Sequence, residues 1–182
     1  MSRTKATTLE IGSISTGSLR VQDVLPAVLD ALGDLRLSRY ERGQVLKIQG
    51  HWDRAPDDLD NPCQCGRCSG VKGNGDSARW CLELDLNEIL FDIVNAHCPD
   101  YCYFGSHPGD GADFGVWPCE EVLEPGPQGG YDGYVYRCTS YCNGPDEPVP
   151  PEYTHFLAAN DHGNATLYRR AGTRWVECWS IV

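Results

Sequence analysis

The amino-acid sequence has no long apolar run. None of its 182 residues belongs to an apolar run near the ~20 residues that a membrane-spanning helix needs. The first 19 residues, MSRTKATTLEIGSISTGSL, also lack the apolar stretch of a signal peptide. We therefore expect a soluble protein of the cytoplasm.

Basic residues are also scarce. Lys and Arg number 15 against 26 Asp and Glu, which gives a formal net charge of −11. Proteins that hold nucleic-acid backbones carry clustered Lys and Arg, so this balance argues against direct nucleic-acid binding. The hydrophobic content of 41% is too high for a disordered acidic tail. The chain is long enough for one sizeable core, so we predict a single domain over residues 1–182.

Established catalytic motifs are absent as well. The sequence contains no G-x-S-x-G, H-E-x-x-H, Walker A or dinucleotide-binding pattern. One Gly-rich loop carries His107, Asp110 and Asp113, and a later turn carries His162. These side chains form a metal-dependent hydrolase or nucleotide-modifying centre only if the fold brings them together. Because Asx residues and Gly are also what hairpin turns require, we predict no catalytic residue and no enzyme.

The negative charge is concentrated in one part of the chain. Residues 1–60 carry 8 basic and 9 acidic residues, whereas residues 82–161 carry 15 acidic residues and one basic residue, Arg137. A solvated acidic surface is the ordinary explanation. The alternative is a surface that binds a strongly basic partner. Its candidate contact residues are Asp110, Asp113, Glu120, Glu121 and Glu124.

Helical patterns dominate the first half of the chain. Apolar side chains over residues 21–33 follow one face of a helix that ends at a glycine. Ser38 and Glu41 have capping-box spacing, which predicts the start of a second helix. A third helix is predicted to start at Asp85 and to end before a proline.

Short strand-like runs dominate the second half. Single strands are predicted at 8–14, 101–104, 114–117 and 134–136, and a three-stranded meander at 154–159, 165–170 and 174–182. Helices followed by strands indicate an α+β fold, with about three N-terminal helices packed on an antiparallel sheet that ends in the meander. A Cys-rich insertion at 61–81 interrupts this pattern.

The insertion contains the strongest metal-binding signal. Cys63, Cys65 and Cys68 lie within six residues, and Cys81 follows, in a segment with almost no apolar side chain. Thiolates about 2.3 Å from one zinc ion can brace a loop that has no core to pack against. We predict a structural zinc held by these four cysteines, with His51 as an alternative fourth ligand. Free thiols and a disulfide are the alternatives, and a reducing compartment disfavours the disulfide.

The other cysteines are less specific. Four of them form two C-x-x-x-C pairs that could hold a second zinc ion: Cys98, Cys102, Cys138 and Cys142. Disulfides in an oxidising compartment are the alternative. Cys119 has no assignment, and Cys178 fits a buried core position on the last strand. The prediction is therefore one or two structural zinc ions.

Four segments of the chain are distinctive: STGSLR (15–20), YCYFGSHPGDGADFG (101–115), NDHGNATLY (160–168) and WSIV (179–182). Together they resemble a group of small, acidic, largely uncharacterised proteins encoded by bacteriophages, prophages and plasmids. The resemblance covers the first helix and most of the sheet, about half of the chain. It implies no catalytic residue, because the group has no established activity. The Cys-rich stretches 61–81 and 137–144 depart from that group.

The resemblance implies a setting in which small acidic accessory proteins act on host machinery. Our leading prediction is a cytoplasmic protein of the host cell that binds and inhibits a nucleic-acid-handling defence complex, of the anti-CRISPR or antirestriction kind. The partner would be a host protein or ribonucleoprotein with a basic nucleic-acid channel, which carboxylates can occupy in place of phosphates. A metal-dependent hydrolase and a zinc-stabilised phage regulatory or interaction module are the alternatives.

Overall fold

The computed structural model describes residues 6–63, 77–124, 133–138, 144–145, 148–160 and 162–181. These residues have an α+β fold, as the sequence predicts. The chain divides into two compact units. The first unit comprises Met1–Leu9, Ser13–Cys98 and Phe104–Gly115, and the second comprises Glu10–Gly12, Pro99–Tyr103 and Val116–Val182. The single domain over residues 1–182 stays a prediction.

The first two helices confirm the sequence patterns. Helix α1 spans Val21–Gly33, and its buried residues are the predicted apolar stripe. Helix α2 spans Arg39–Trp52 and begins with a complete capping box. The Glu41 N–H donates to Ser38 Oγ over 3.2 Å, and the Ser38 N–H donates to Glu41 Oε2 over 2.7 Å. These bonds satisfy donors that the first helical turn leaves without partners.

The predicted start of the third helix is wrong. It was predicted to start at Asp85, but helix α3 already begins at Ala78 and spans Ala78–Leu84. A serine cap begins it, because the Trp80 N–H donates to Ser77 Oγ over 3.3 Å. A π-helical turn over Asp85–Leu90 and helix α4 over Phe91–Ala96 continue it. Asp85 is therefore an interior residue, at the point where the helix widens into the π turn.

The helices of the first unit bury one apolar core. Leu25, Leu82 and Leu90 have no exposed surface. Three phenylalanine rings from α4 and from later strands pack edge to face at the border of this core, with ring centroids 4.7–5.9 Å apart. None of the helices among the described residues is long and apolar enough to cross a membrane.

The strands form two sheets rather than the one antiparallel sheet predicted. The first is a three-stranded antiparallel sheet in the order β1-β3-β2. Its strands are β1 (Gly12–Ser15), β2 (Cys102–His107) and β3 (Asp110–Pro118). A short helix, α5 (Glu120–Leu123), follows β3.

The second sheet contains the predicted meander. Its strands, in the order β4-β5-β6-β7, are β4 (Val135–Arg137), β5 (His155–Ala159), β6 (Ala165–Ala171) and β7 (Arg174–Ile181). Strands β5, β6 and β7 pair antiparallel, whereas β4 pairs parallel to β5 and makes the sheet mixed. Parallel pairing needs a long crossover between the two strands, which local sequence patterns do not reveal.

Strand β7 contains a β-bulge at Cys178. Leu167 of β6 pairs with Trp179 of β7, but Tyr168 pairs with Glu177, so Cys178 is an extra residue in β7. Such a β-bulge re-aims the side chains around it. Beneath it, Leu157, Leu167 and Trp179 form part of the core of the second unit.

The capping box of α2 predicts a pH dependence of stability. Hydrogen bonds from the side chain and backbone of Ser38, with a smaller contribution from His97, hold the pKa of the Glu41 carboxyl below its ordinary value of 4.5. A carboxyl whose pKa is lower in the folded state stabilises the fold above its unfolded pKa, and this stabilisation is lost as pH falls through the folded pKa.

We therefore expect Glu41→Gln to lower the free energy of unfolding at neutral pH and to have less effect at pH ~3. Urea unfolding at both pH values measures the difference, and Asp92→Asn on α4 controls for the loss of one exposed carboxylate. An equal effect of Glu41→Gln at both pH values would contradict this assignment.

Candidate metal centres

The first candidate site is built around His51, in the last turn of α2. Its Nδ1 lies 2.6 Å from Asp85 Oδ2, and its Nε2 lies 3.1 Å from Cys63 Sγ. The site is enclosed, because the side chains of His51 and Asp85 are only 12% and 1% exposed. We call His51, Cys63 and Asp85 the His51 centre.

Backbone hydrogen bonds anchor Cys63 at this position. The preceding Pro62 pairs with Ser77 in an isolated antiparallel bridge. The Ala78 N–H donates to Asn61 O over 2.9 Å, next to that bridge. The two ends of the Cys-rich insertion are thereby tied together at the start of α3, and Cys63 stands at one of them.

Cys81 shares a helix face with Asp85. The two residues are one helical turn apart, so their side chains lie side by side. Cys81 is 5% exposed, and its carbonyl accepts a hydrogen bond from the Asp85 N–H. The structure thus brings His51 next to Cys63, but among the described residues Cys81 does not join them in a group of three ligand atoms within 4.8 Å. The other two predicted ligands, Cys65 and Cys68, lie outside the described residues.

The His51 centre offers two neighbouring ligand atoms for a metal, His51 Nε2 and Cys63 Sγ. A histidine that ligates zinc commonly donates its other ring N–H to a carboxylate, which fixes the tautomer and the ring orientation. Asp85 occupies that outer position, and Nε2 faces Cys63. Bond lengths of about 2.0–2.3 Å at a tetrahedral ion separate a nitrogen and a sulfur ligand by ~3.5 Å, close to the 3.1 Å observed.

A second cluster of ligand side chains lies in the second unit. One ligand atom from each of Asp100, His155 and Cys178 lies within 4.8 Å of the others. Asp100 Oδ2 is 3.3 Å from His155 Nε2 and 3.6 Å from Cys178 Sγ. Arg169 Nη1 also donates to this oxygen, over 3.2 Å. We call Asp100, His155 and Cys178 the Asp100 centre.

The surroundings of this centre raise the pKa of the Cys178 thiol. Burial, together with the charge of Asp100 and a hydrogen bond to it, raises the pKa of Cys178 to about 11. Burial and the nearby Glu121 likewise raise the pKa of Cys119. The sequence did not suggest Asp100 or His155 as ligands. They are 55 residues apart, and no short motif connects them.

The predicted second zinc site is not assembled among the described residues. Cys98 belongs to the first unit, where its thiol faces the Val94 carbonyl at 3.5 Å, and Cys102 belongs to the second. Cys138 is disulfide-bonded, which removes its sulfur from the predicted set of thiolates. Cys142 lies outside the described residues.

The predicted interaction residues differ in exposure. Glu120 and Glu121 on α5 and the following Glu124 are exposed, and so is Asp110. Asp113 is half-buried, and its Oδ2 accepts a hydrogen bond from Ser13 Oγ over 2.9 Å. Asp110 and Asp113 belong to the first unit and the three glutamates to the second.

The loops of the alternative hydrolase centre make turn contacts. His107 Nδ1 accepts a hydrogen bond from the Gly109 N–H over 3.0 Å, and Asp110 Oδ1 accepts one from the Ala112 N–H over 3.0 Å. His162 stands in the turn between β5 and β6, in the other sheet. These contacts are those of hairpin turns.

Comparison with known proteins adds no function. No established family model, no curated protein and no solved structure matches this chain.

The buried pair in the His51 centre predicts a loss of stability. We expect Asp85→Ala, measured by urea unfolding with a chelator present, to lower the free energy of unfolding by about 1–3 kcal/mol, because a buried ring N–H loses its acceptor. Glu88→Ala, at an exposed position on the same π turn, is the matched control and should change it by less than about 0.5 kcal/mol. Equal effects of the two substitutions would rule out a structural role for the pair.

Proposed function

We propose that this chain is a zinc-stabilised, non-enzymatic binding protein that recognises a basic, nucleic-acid-handling partner. The observation that carries the zinc assignment is the position of His51 between Asp85 and Cys63. One ring nitrogen meets a buried carboxylate at 2.6 Å while the other meets a thiol at 3.1 Å. The exposed carboxylates support the choice of partner.

Zinc at the His51 centre would act on folding. The Cys-rich insertion has too few apolar residues to order itself by packing, whereas thiolate and imidazole ligands order such a segment at the cost of a few side chains. The backbone bridge before Cys63 and the helix face carrying Cys81 supply rigid ends for this arrangement. The ion would brace the insertion and perform no chemistry.

An acid, a histidine and a thiol in this order also describe an activated cysteine nucleophile. Two features favour the metal. Cys81 lies on the helix face that Asp85 presents, and the segment that begins at Cys63 carries two more cysteines, which a nucleophile does not need.

The zinc assignment is tested by metal content. Wild-type protein purified without chelator should hold a zinc ion at the His51 centre, so His51→Ala and Cys63→Ser should each lower the zinc content by one ion per chain. Their apparent melting temperature should fall by about 5–10 °C, since a metal at 100 times its Kd adds about 2.7 kcal/mol to stability. His107→Ala, at the end of β2, and Cys119→Ser, at a half-buried free thiol, are matched controls.

Unchanged zinc content in both His51→Ala and Cys63→Ser would refute the assignment. Rapid alkylation of Cys63 in zinc-free wild-type protein, abolished by His51→Ala, together with wild-type protein that never takes up zinc, would establish the nucleophile instead.

The partner is proposed from charge. Glu120, Glu121 and Glu124 are exposed within five consecutive positions, in the stretch that holds 15 of the 26 acidic residues. Carboxylates on a short helix can enter a channel lined by Arg and Lys, and long-range attraction then speeds association and makes it sensitive to salt. The resemblance to phage and plasmid proteins favours a host defence complex of the anti-CRISPR or antirestriction kind as the partner.

The partner proposal is tested by inhibition of DNA cleavage. The protein is added to an RNA-guided DNA-cleavage complex and, separately, to a restriction endonuclease. We expect it to inhibit one of them, with inhibition weakening as salt rises. The triple substitution Glu120→Lys, Glu121→Lys and Glu124→Lys should abolish inhibition.

A charge-matched control separates the location of the charge from its amount. Asp30→Lys, Asp34→Lys and Asp92→Lys change the net charge equally at exposed positions of the first unit and should preserve inhibition. Inhibition that survives the glutamate substitutions, or that both triple variants lose equally, would contradict binding through α5.

A further inference from the structure

We propose that the Asp100 centre is a second metal site, which binds a thiophilic divalent transition metal such as Zn²⁺. It is independent of the His51 centre, since all its residues belong to the second unit. Its three side chains come from the segment before β2, from the first residue of β5 and from the bulge in β7.

The distances fit a tetrahedral ion. Bonds of about 2.0–2.3 Å put an oxygen and a nitrogen ligand ~3.4 Å apart, and an oxygen and a sulfur ligand ~3.6 Å apart. The observed separations from Asp100 Oδ2 are 3.3 Å to His155 Nε2 and 3.6 Å to Cys178 Sγ. The ligand atoms of His155 and Cys178 also lie within 4.8 Å of each other.

The β-bulge explains why this geometry exists. In a regular strand, neighbouring side chains point to opposite faces, so Cys178 and Trp179 would not meet the same residue. Across the bulge both do so: Cys178 Sγ faces the Asp100 carboxylate, and Trp179 Nε1 donates to the Asp100 carbonyl over 2.8 Å. The bulge therefore aims the thiol at Asp100 while the buried indole holds the backbone of Asp100 in place.

His155 is oriented from two sides. Thr154 Oγ1 lies 2.9 Å from its Nδ1, and the Tyr101 ring packs edge-on against the imidazole with centroids 4.9 Å apart. A ligating histidine is usually held by such a hydrogen bond at its other nitrogen. The Nε2 atom is thereby directed at Asp100 and at the space an ion would occupy.

Arg169 provides an internal competitor for the ion. It lies opposite His155 in the β5–β6 pairing, and its Nη1 contacts the same Asp100 oxygen at 3.2 Å. Because its side chain is 58% exposed, the guanidinium can turn into solvent when a divalent cation binds.

The ligand atoms determine which metal binds. Sulfur and imidazole ligands favour Zn²⁺ or Co²⁺ over Mg²⁺ or Ca²⁺. Three protein ligands leave the fourth position of a tetrahedral ion for water.

The test is a titration of chelator-treated protein with Co²⁺, whose thiolate charge-transfer absorption reports cysteine ligation. The wild type should bind one equivalent at each centre. Cys178→Ser and His155→Ala should each weaken one equivalent by at least about 10- to 100-fold. Cys63→Ser should remove only the other equivalent, so a failure of this proposal is distinguishable from a failure of the proposed function. Cys119→Ser, at a thiol of the same unit outside the centre, is the matched control and should keep both.

A variant that binds Co²⁺ more tightly than the wild type serves as a control for misfolding. Arg169→Gln removes the competing charge and should tighten binding at the Asp100 centre about two- to fivefold, which misfolding cannot mimic. Two Co²⁺ equivalents bound by Cys178→Ser at wild-type affinity would overturn the proposal. Unchanged Co²⁺ affinity in Arg169→Gln would overturn the role of Arg169 as competitor.

Discussion

The buried hydrogen bond between His51 and Asp85 is the constraint on which the first unit depends. At 2.6 Å, with Asp85 only 1% exposed, it joins the end of α2 to the point where α3 passes into the π turn. Because Asp85 takes one ring nitrogen, the other is left facing Cys63, and the thiol-rich insertion begins there. The contact between the helices thereby sets an imidazole nitrogen beside a thiol, the pair proposed to hold zinc. A π turn inside a helix often accompanies such functional positions.

The elements that the sequence predicted correctly are those that side chains close together in the chain determine. The apolar stripe of α1, the capping box at Ser38 and the β5–β7 meander all follow from side chains a few residues apart, and the structure confirms them. It did not predict the parallel pairing of β4 or the start of α3. The first depends on a crossover between distant residues, and the second on a serine cap within a polar segment.

In the candidate sites, too, local patterns in the sequence pointed to some residues, whereas contacts between distant residues could not be predicted. The density of thiols led to the prediction of Cys63 as a ligand, with His51 as an alternative, and the structure places these two side chains 3.1 Å apart. Asp85 was interpreted as the start of a helix, because its partner His51 lies 34 residues away. The Asp100 centre carried no sequence signal, since a β-bulge and a contact spanning 78 residues create it. Cys138 is disulfide-bonded, so the spacing of the later cysteine pairs did not predict a shared metal.

The central claim is that an imidazole and thiolates hold one zinc ion at the His51 centre. Zinc X-ray absorption of Cys178→Ser protein loaded with one equivalent tests it most directly, because the ligand atoms are identified by their distances. The account predicts sulfur at about 2.3 Å and an imidazole nitrogen at about 2.0–2.1 Å, with the imidazole contribution lost in His51→Ala. A shell of oxygen ligands, or a shell that His51→Ala leaves unchanged, would contradict it.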